Sequence, residues 1–345
     1  MIKRFHLHLL LAMIAVILSS RPAACDWTAP AADDPHRTWV YTPGSTLGNG
    51  QHALIVVLHG CAQSNEDLKQ FGNLEKAAEE GGVVMAVPYV GIHFFGAGCW
   101  DYDAAPDLSD NAKDIIALTR DLTSHPTLNI DPSQVYVVGL SSGAALSLLL
   151  GCAAPDLFAG IGAIAGPTVG SDQWIALEDA ALIPGTNVDD AVRTCKSLAG
   201  AKAAFFATQV ANIAYGDMDE DGPVPGFTYV FGDARHPGQY SVVSIKWSLD
   251  NVRVFQRLYD AGELNSPRPI ADGKGGTERT ASALGAVRLS LLVVQNVGHA
   301  WPAGTNRPNS VDLGGLWVAQ DSLDYPSYVT RWLLQNNRRS IPAAK

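Results

Sequence analysis

The sequence predicts an α/β fold: a mostly parallel central sheet with helices on both faces. Two observations carry this. Short, unbroken apolar runs rich in β-branched residues alternate with longer segments of helical spacing, and Gly or Pro closes several of them. Strands that are apolar at every position are buried on both faces, as in a parallel sheet covered by helices. The 345 residues, 47% hydrophobic and 17% charged, can fill such a core as one unit, and 20 Pro with 33 aperiodic Gly exclude disordered and collagen-like classes. A formal charge of -10 without a basic run excludes nucleic acid as a partner, because the chain would repel phosphates.

The elements follow in chain order. Lys3 and Arg4 precede an apolar run at residues 9–18 (LLLAMIAVIL), which Arg21-Pro22-Ala23-Ala24-Cys25 ends. As a helix this run rises only ~15 Å, too little for a hydrocarbon core of ~30 Å. Residues 1–25 therefore read as a cleaved signal peptide of a secreted or periplasmic protein, with residues 26–345 as a single catalytic domain. A lipoprotein reading, with Cys25 acylated, is opposed by Pro22, where a Leu is usually wanted. Cleavage removes one of five cysteines and leaves Cys61, Cys99, Cys152 and Cys195, an even set that suggests two disulfides in an exported protein. No later segment is long and apolar enough to insert stably in a membrane.

Residues 53–58 (ALIVVL) form a strand ending at His59-Gly60. Residues 66–80 have helical spacing, with Leu68, Phe71, Leu74 and Ala77 on one face and Gly81-Gly82 as the stop. Residues 83–87 (VVMAV) are a strand closed by Pro88. Residues 111–122 are an amphipathic helix through Ile115, Ile116, Leu118 and Leu122. Residues 134–138 (QVYVV) are a strand, 144–150 an apolar helix, and 157–164 lead into a strand ending near Gly166. Residues 209–215 and 289–295 are further strands, and 327–335 a closing helix. Two stretches, 167–208 with Cys195 and 222–242 with many Gly, Pro and aromatic residues, read as insertions above the carboxyl edge of the sheet, where ligands bind in such folds.

Gly139-Leu140-Ser141-Ser142-Gly143 fits G-x-S-x-G, between the strand QVYVV and the helix AALSLLL. The motif needs that strand–turn–helix setting, and the fold is then an α/β-hydrolase fold with Ser141 as nucleophile. In chain order the acid and then the histidine follow the serine. His236 sits in a loop with no strand before it, whereas His299 follows LLVVQ directly and is the base. The acid lies in Gly216-Asp217-Met218-Asp219-Glu220-Asp221: G-x-x-D spacing selects Asp219, with Asp221 and Asp217 as alternatives. The oxyanion hole draws one N–H from Ser142 and one from Cys61, in the turn after ALIVVL; His59 in that turn is structural. Trp100, Tyr102 and Trp301 adjoin motif positions and are candidates for substrate binding, against the plain alternative that such rings fill a core. No cofactor and no metal is called for.

Together, His-Gly-Cys-x-Gln at 59–63, Gly-Leu-Ser-Ser-Gly-Ala at 139–144, Cys99-Trp100 and Gly-His-Ala-Trp-Pro at 298–302 resemble the poly(3-hydroxybutyrate) depolymerase esterases, a group related to feruloyl and acetylxylan esterases. The resemblance spans residues 40–335 and implies hydrolysis of a polyester or oligoester through an acyl-enzyme on Ser141. It also accompanies the pairing Cys61–Cys99 and Cys152–Cys195, which ties the oxyanion loop to the Trp100 loop. The G-x-x-D-x-x-V pattern of the family is stretched here, since Asp219 lies five residues before Val224, which keeps the choice of acid open. With no linker and polymer-binding domain after the closing helix, the expected substrates are amorphous polymer or soluble oligomers. The alternatives are a feruloyl or acetylxylan-type carboxylesterase and, outside the enzymes, an inactive hydrolase fold that binds polymer.

Overall fold

A computed structural model of the chain describes residues 25–91, 98–104, 107–171, 187–219, 244–270, 274–305 and 317–339. Residues 1–24 of the expected leader, the insertion at 222–242, His236 and Asp221 lie outside the described residues.

One ten-stranded sheet organises the chain. The edge strand β1 (Asp26–Thr28) and its neighbour β2 (Trp39–Thr42) precede β3 (His52–Leu58), the strand predicted at 53–58. Next come helices α1 (Asn65–Phe71) and α2 (Leu74–Gly81), then β4 (Val83–Val87), helix α3 (Asp110–Ser124) and β5 (Ile130–Leu140). Helix α4 (Ser142–Ala153) leads to β6 (Gly160–Ile164), helix α5 (Val188–Ala199), a 3-10 turn at Gly200–Ala207 and β7 (Val210–Gly216). Helix α6 (Ser244–Leu258), the hairpin strands β8 (Arg268–Ile270), β9 (Gly276–Ala283) and β10 (Ala286–Val294), the short pair β11 (Trp301–Pro302) and β12 (Val318–Ala319), and helix α7 (Tyr325–Asn336) complete the fold.

The strand order is β1-β2-β4-β3-β5-β6-β7-β10-β9-β8. From β4 to β10 all neighbours are parallel, and antiparallel strands flank this block on both sides. Residues alternate between two apolar layers: Leu54, Val56 and Leu58 of β3 enter one, Ala53, Ile55 and Val57 the other. Helices α3, α4, α5 and α6 cover the first layer; α1, α2 and α7 cover the second. Burial on both faces is what the unpatterned apolar runs required.

Two expectations need correction. The helix expected across 66–80 is two helices, because Gly72 ends the first and Asn73 takes a left-handed conformation (φ 58°, ψ 31°) before the second. Asn73 Nδ2 then donates to the Ala303 carbonyl at 2.9 Å, and the Gly72 carbonyl accepts from Trp301 Nε1 at 3.1 Å. The stretch 167–208 is not wholly an insertion above the sheet, since α5 buries Ala191, Cys195 and Ala199 in the first apolar layer. Both disulfides have the expected partners, Cys61–Cys99 and Cys152–Cys195, and Cys25 is left free and exposed. Two such bridges suit an oxidising compartment. Among the described residues no helix is long and apolar enough to cross a membrane.

Candidate active site

The site is assembled at the carboxyl ends of β3, β5, β7 and β10, which are parallel to one another. Between β5 and α4, Ser141 adopts φ 55° and ψ -119°, a conformation an L-residue holds only when its surroundings enforce it. The enforcement is visible in the backbone. Ser141 N–H donates to the Ile164 carbonyl at 2.9 Å, and Ala145 N–H returns to the Ser141 carbonyl at 2.9 Å. A Cβ on Gly139 would stand 2.3 Å from the Gly143 carbonyl carbon, and one on Gly143 would stand 2.4 Å from the Leu58 oxygen. Both motif glycines are needed for close approach, and the elbow rests directly on the end of β3.

His299 and Asp219 meet at the ends of β10 and β7. The His299 Nδ1 lies 3.1 and 3.2 Å from the two oxygens of Asp219. The carboxylate can only accept, so Nδ1 carries the proton and Nε2 is left as the basic nitrogen. The Asp219 side chain is 0% exposed and the imidazole 6%. Their loops are laced together: Asp217 N–H donates to the Val294 carbonyl and Met218 N–H to the Val297 carbonyl, both at 3.0 Å. Asp217, the neighbouring candidate, is exposed to solvent. Position 219 is therefore the aspartate that the G-x-x-D turn carries inward.

The turn after β3 is braced from several sides. Val90 N–H donates to His59 Nε2 at 3.1 Å, which fixes the other nitrogen, Nδ1, as the donor to the Gly60 carbonyl at 2.8 Å. Burial is the chief cause that pushes the His59 pKa down to about 4, so the ring is neutral at ordinary pH. Gln63 accepts from Gly60 N–H at 2.9 Å and donates to the Trp317 carbonyl at 3.3 Å. The Cys61–Cys99 bridge anchors the same turn, and Cys61 is 7% exposed. Ser142, the first residue of α4, is 2% exposed.

The three aromatic candidates are all buried. Trp100 is 0% exposed and donates from Nε1 to the His59 carbonyl at 3.0 Å. Trp301, 1% exposed, packs edge-on against Tyr325 with ring centroids 5.5 Å apart. Tyr102 is likewise buried in the first apolar layer. Trp100 braces the turn after β3 and Trp301 the break between α1 and α2, through Gly72. The braces Val90, Gln63 and Trp317 went unassigned in the sequence, because a backbone amide leaves no compositional trace. Gln63 alone had a signal, its place in the H-G-C-x-Q turn. Among the described residues no cluster of His, Cys, Asp or Glu could hold a metal ion.

An elbow serine, an imidazole oriented by a buried carboxylate and a braced turn of N–H groups are the parts that acyl transfer uses. Fold and site define an α/β-hydrolase of the serine ester hydrolase class. The sequence model described as "Esterase PHB depolymerase" matches residues 38–219, and the chain belongs to that family of carboxylic ester hydrolases. It is 29% identical to a poly(3-hydroxybutyrate) depolymerase of Ralstonia pickettii over 96% of this chain and 66% of that protein, a little under two thirds of its length. It is 25% identical to acetylxylan esterase A of Emericella nidulans over 76% of this chain and 79% of that enzyme. An acetyl xylan esterase structure from Aspergillus awamori shares the fold, with a TM-score of 0.56 at 14% identity over 79% of this chain and 93% of that one.

Proposed function

We propose that the chain hydrolyses ester bonds of poly(3-hydroxybutyrate), as amorphous polymer or oligomers, through an acyl-enzyme on Ser141. The observation that carries the chemistry is the buried Asp219–His299 pair, at the same carboxyl edge of the sheet as the strained Ser141 elbow. His299 Nε2 takes the hydroxyl proton as Ser141 Oγ bonds to the ester carbonyl carbon, and the carbonyl electron pair moves onto its oxygen. The N–H groups of Cys61 and Ser142 receive that oxyanion. Collapse breaks the carbon–oxygen bond to the leaving alkoxide, which takes the proton from His299. Water, deprotonated by the same imidazole, then attacks the acyl-enzyme and releases the acid and the Ser141 hydroxyl. Asp219 holds the imidazole in the required tautomer and stabilises the imidazolium.

Similarity to the Ralstonia enzyme over nearly the whole chain supports the polyester substrate. The Cys61–Cys99 and Cys152–Cys195 bridges support export, with residues 1–25 as the leader and the remainder as one catalytic domain. Identity to the Emericella enzyme supports a second reading, an acetylxylan or feruloyl esterase. The test is a panel of amorphous polymer, 3-hydroxybutyrate trimer, acetylated xylan and feruloyl sugars given to purified protein and to Ser141→Ala. Release of 3-hydroxybutyrate by the parent protein alone is expected. Release of acetate or ferulate in its place would move the assignment to the second reading, and full activity of Ser141→Ala would remove both.

A further inference from the structure

The two oxyanion donors belong to different elements, the turn after β3 and the first residue of α4. Their spacing has to hold to about 0.5 Å for both to meet one oxygen. Residues 99 and 100 bridge the two elements. Cys99 is bonded to Cys61, Trp100 Nε1 donates to the His59 carbonyl at 3.0 Å, and Trp100 N–H donates to Ser142 Oγ at 3.4 Å.

We propose that Trp100 is a positioning residue for ester hydrolysis: its indole N–H and its backbone N–H hold the two segments that present the oxyanion donors in one fixed relation. This rests on the assignment of the Cys61 and Ser142 N–H groups as those donors. The peptide between His59 and Gly60 is clamped at both ends, its carbonyl by Trp100 Nε1 and its N–H by Gln63 Oε1 at 2.9 Å. The next peptide has its carbonyl held by His59 Nδ1 at 2.8 Å, and its N–H is the Cys61 donor. No hydrogen bond among the described residues takes up that N–H. Rotation of the first peptide plane turns the second, so the indole acts on the donor through one intervening residue. The same His59 oxygen would lie 2.5 Å from a Cβ on Gly143, so α4 also sits on the carbonyl that Trp100 holds. Trp100 is fully buried, with its ring 5.2 Å from that of His59. Its N–H is therefore spent on geometry, away from substrate.

Trp100→Phe keeps most of the packing and removes the indole donor. With active sites counted by burst titration on p-nitrophenyl butyrate, kcat should fall about ten-fold with KM within about two-fold, less than the loss of a whole oxyanion donor. Affinity for an alkyl boronic acid, whose tetrahedral adduct places an oxygen in the hole, should weaken by the same factor. A purely structural role would lower Tm and the titrated fraction but leave kcat per site and boronate affinity unchanged; that result overturns the proposal. Should Trp100→Phe not fold, Ser142→Ala removes the second contact and keeps the Ser142 N–H. It should lower kcat per site about three-fold, on the same reasoning that a displaced donor costs less than a missing one, and an unchanged kcat overturns the proposal equally. Ser141→Ala separates the two levels: if it stays active the triad assignment itself fails, whereas an inactive Ser141→Ala beside an unaltered Trp100→Phe defeats only this inference.

Discussion

Asp219 and Asp217 are two residues apart and differ in nearly everything that matters to an imidazole. One is buried against His299 Nδ1; the other faces water. Asp219→Asn keeps the shape but lets the ring take the wrong tautomer, and kcat should fall about 10⁴-fold. Asp217→Asn and Asp221→Asn should stay within about two-fold of the parent, as expected of residues outside the machinery. A comparable collapse in either of those variants, measured on p-nitrophenyl butyrate, would transfer the role. His59 makes a separate prediction about stability. Burial holds its pKa at about 4, against 6.5 in the unfolded chain. Between those values the unfolded chain binds a proton that the folded protein does not, so stability is intact above pH 6.5 and falls as pH drops toward 4. The difference amounts to about 3 kcal/mol at full extent. Urea unfolding of the parent and of His59→Gln from pH 7 to 4 checks this: the variant, though less stable throughout, should show a shallower decline, and parallel curves refute the assignment.

At the scale of elements, the elbow works because α4 starts on top of β3. Gly143→Ala would drive a Cβ into two backbone oxygens, those of Leu58 at 2.4 Å and His59 at 2.5 Å, neither of which can rotate away. A cost of about 3 kcal/mol or more in stability, with activity lost even in the folded fraction, is expected. Retention of activity by a folded Gly143→Ala would mean that α4 can move without consequence. This element was legible in the sequence, since G-x-S-x-G between an apolar strand and an apolar helix has few physical realisations. So was the parallel block, whose strands are apolar on both faces. The outer strands were not: β9 (GTERTASA) mixes polar and small residues, and only Glu278, Ala281 and Ala283 of it are buried. The split between α1 and α2 was hidden because Leu68, Phe71, Leu74 and Ala77 keep one helical face straight across the break. The amphipathic α5 was missed although Asn187 caps its start, Gly200 ends it and Cys195 marked where it would be tied to α4.

For the whole molecule, the two bridges act on regions the sheet does not connect directly. Cys61–Cys99 closes a loop with a sequence separation of 38 residues, from the turn after β3 to the segment before α3, and Cys152–Cys195 closes one of 43, joining α4 to α5. Loop-closure entropy assigns about 4 kcal/mol to each, if the reduced chain is a free coil. Together they rival the net stability of ordinary domains, about 5–15 kcal/mol. For a chain of this length the unfolding entropy converts that to a drop in Tm of about 12 °C on full reduction. Calorimetry with and without a phosphine reductant, with thiols counted in parallel, measures it. The bridges should also differ in what they do. Replacing Cys152 and Cys195 with Ala should lower Tm alone, since that bridge is remote from the elbow. Replacing Cys99 with Ala should lower Tm and also kcat per active site, because Cys61 then loses its covalent anchor beside the oxyanion turn. Equal effects of the two on kcat would mean that the Cys61–Cys99 bridge acts only on the unfolded chain.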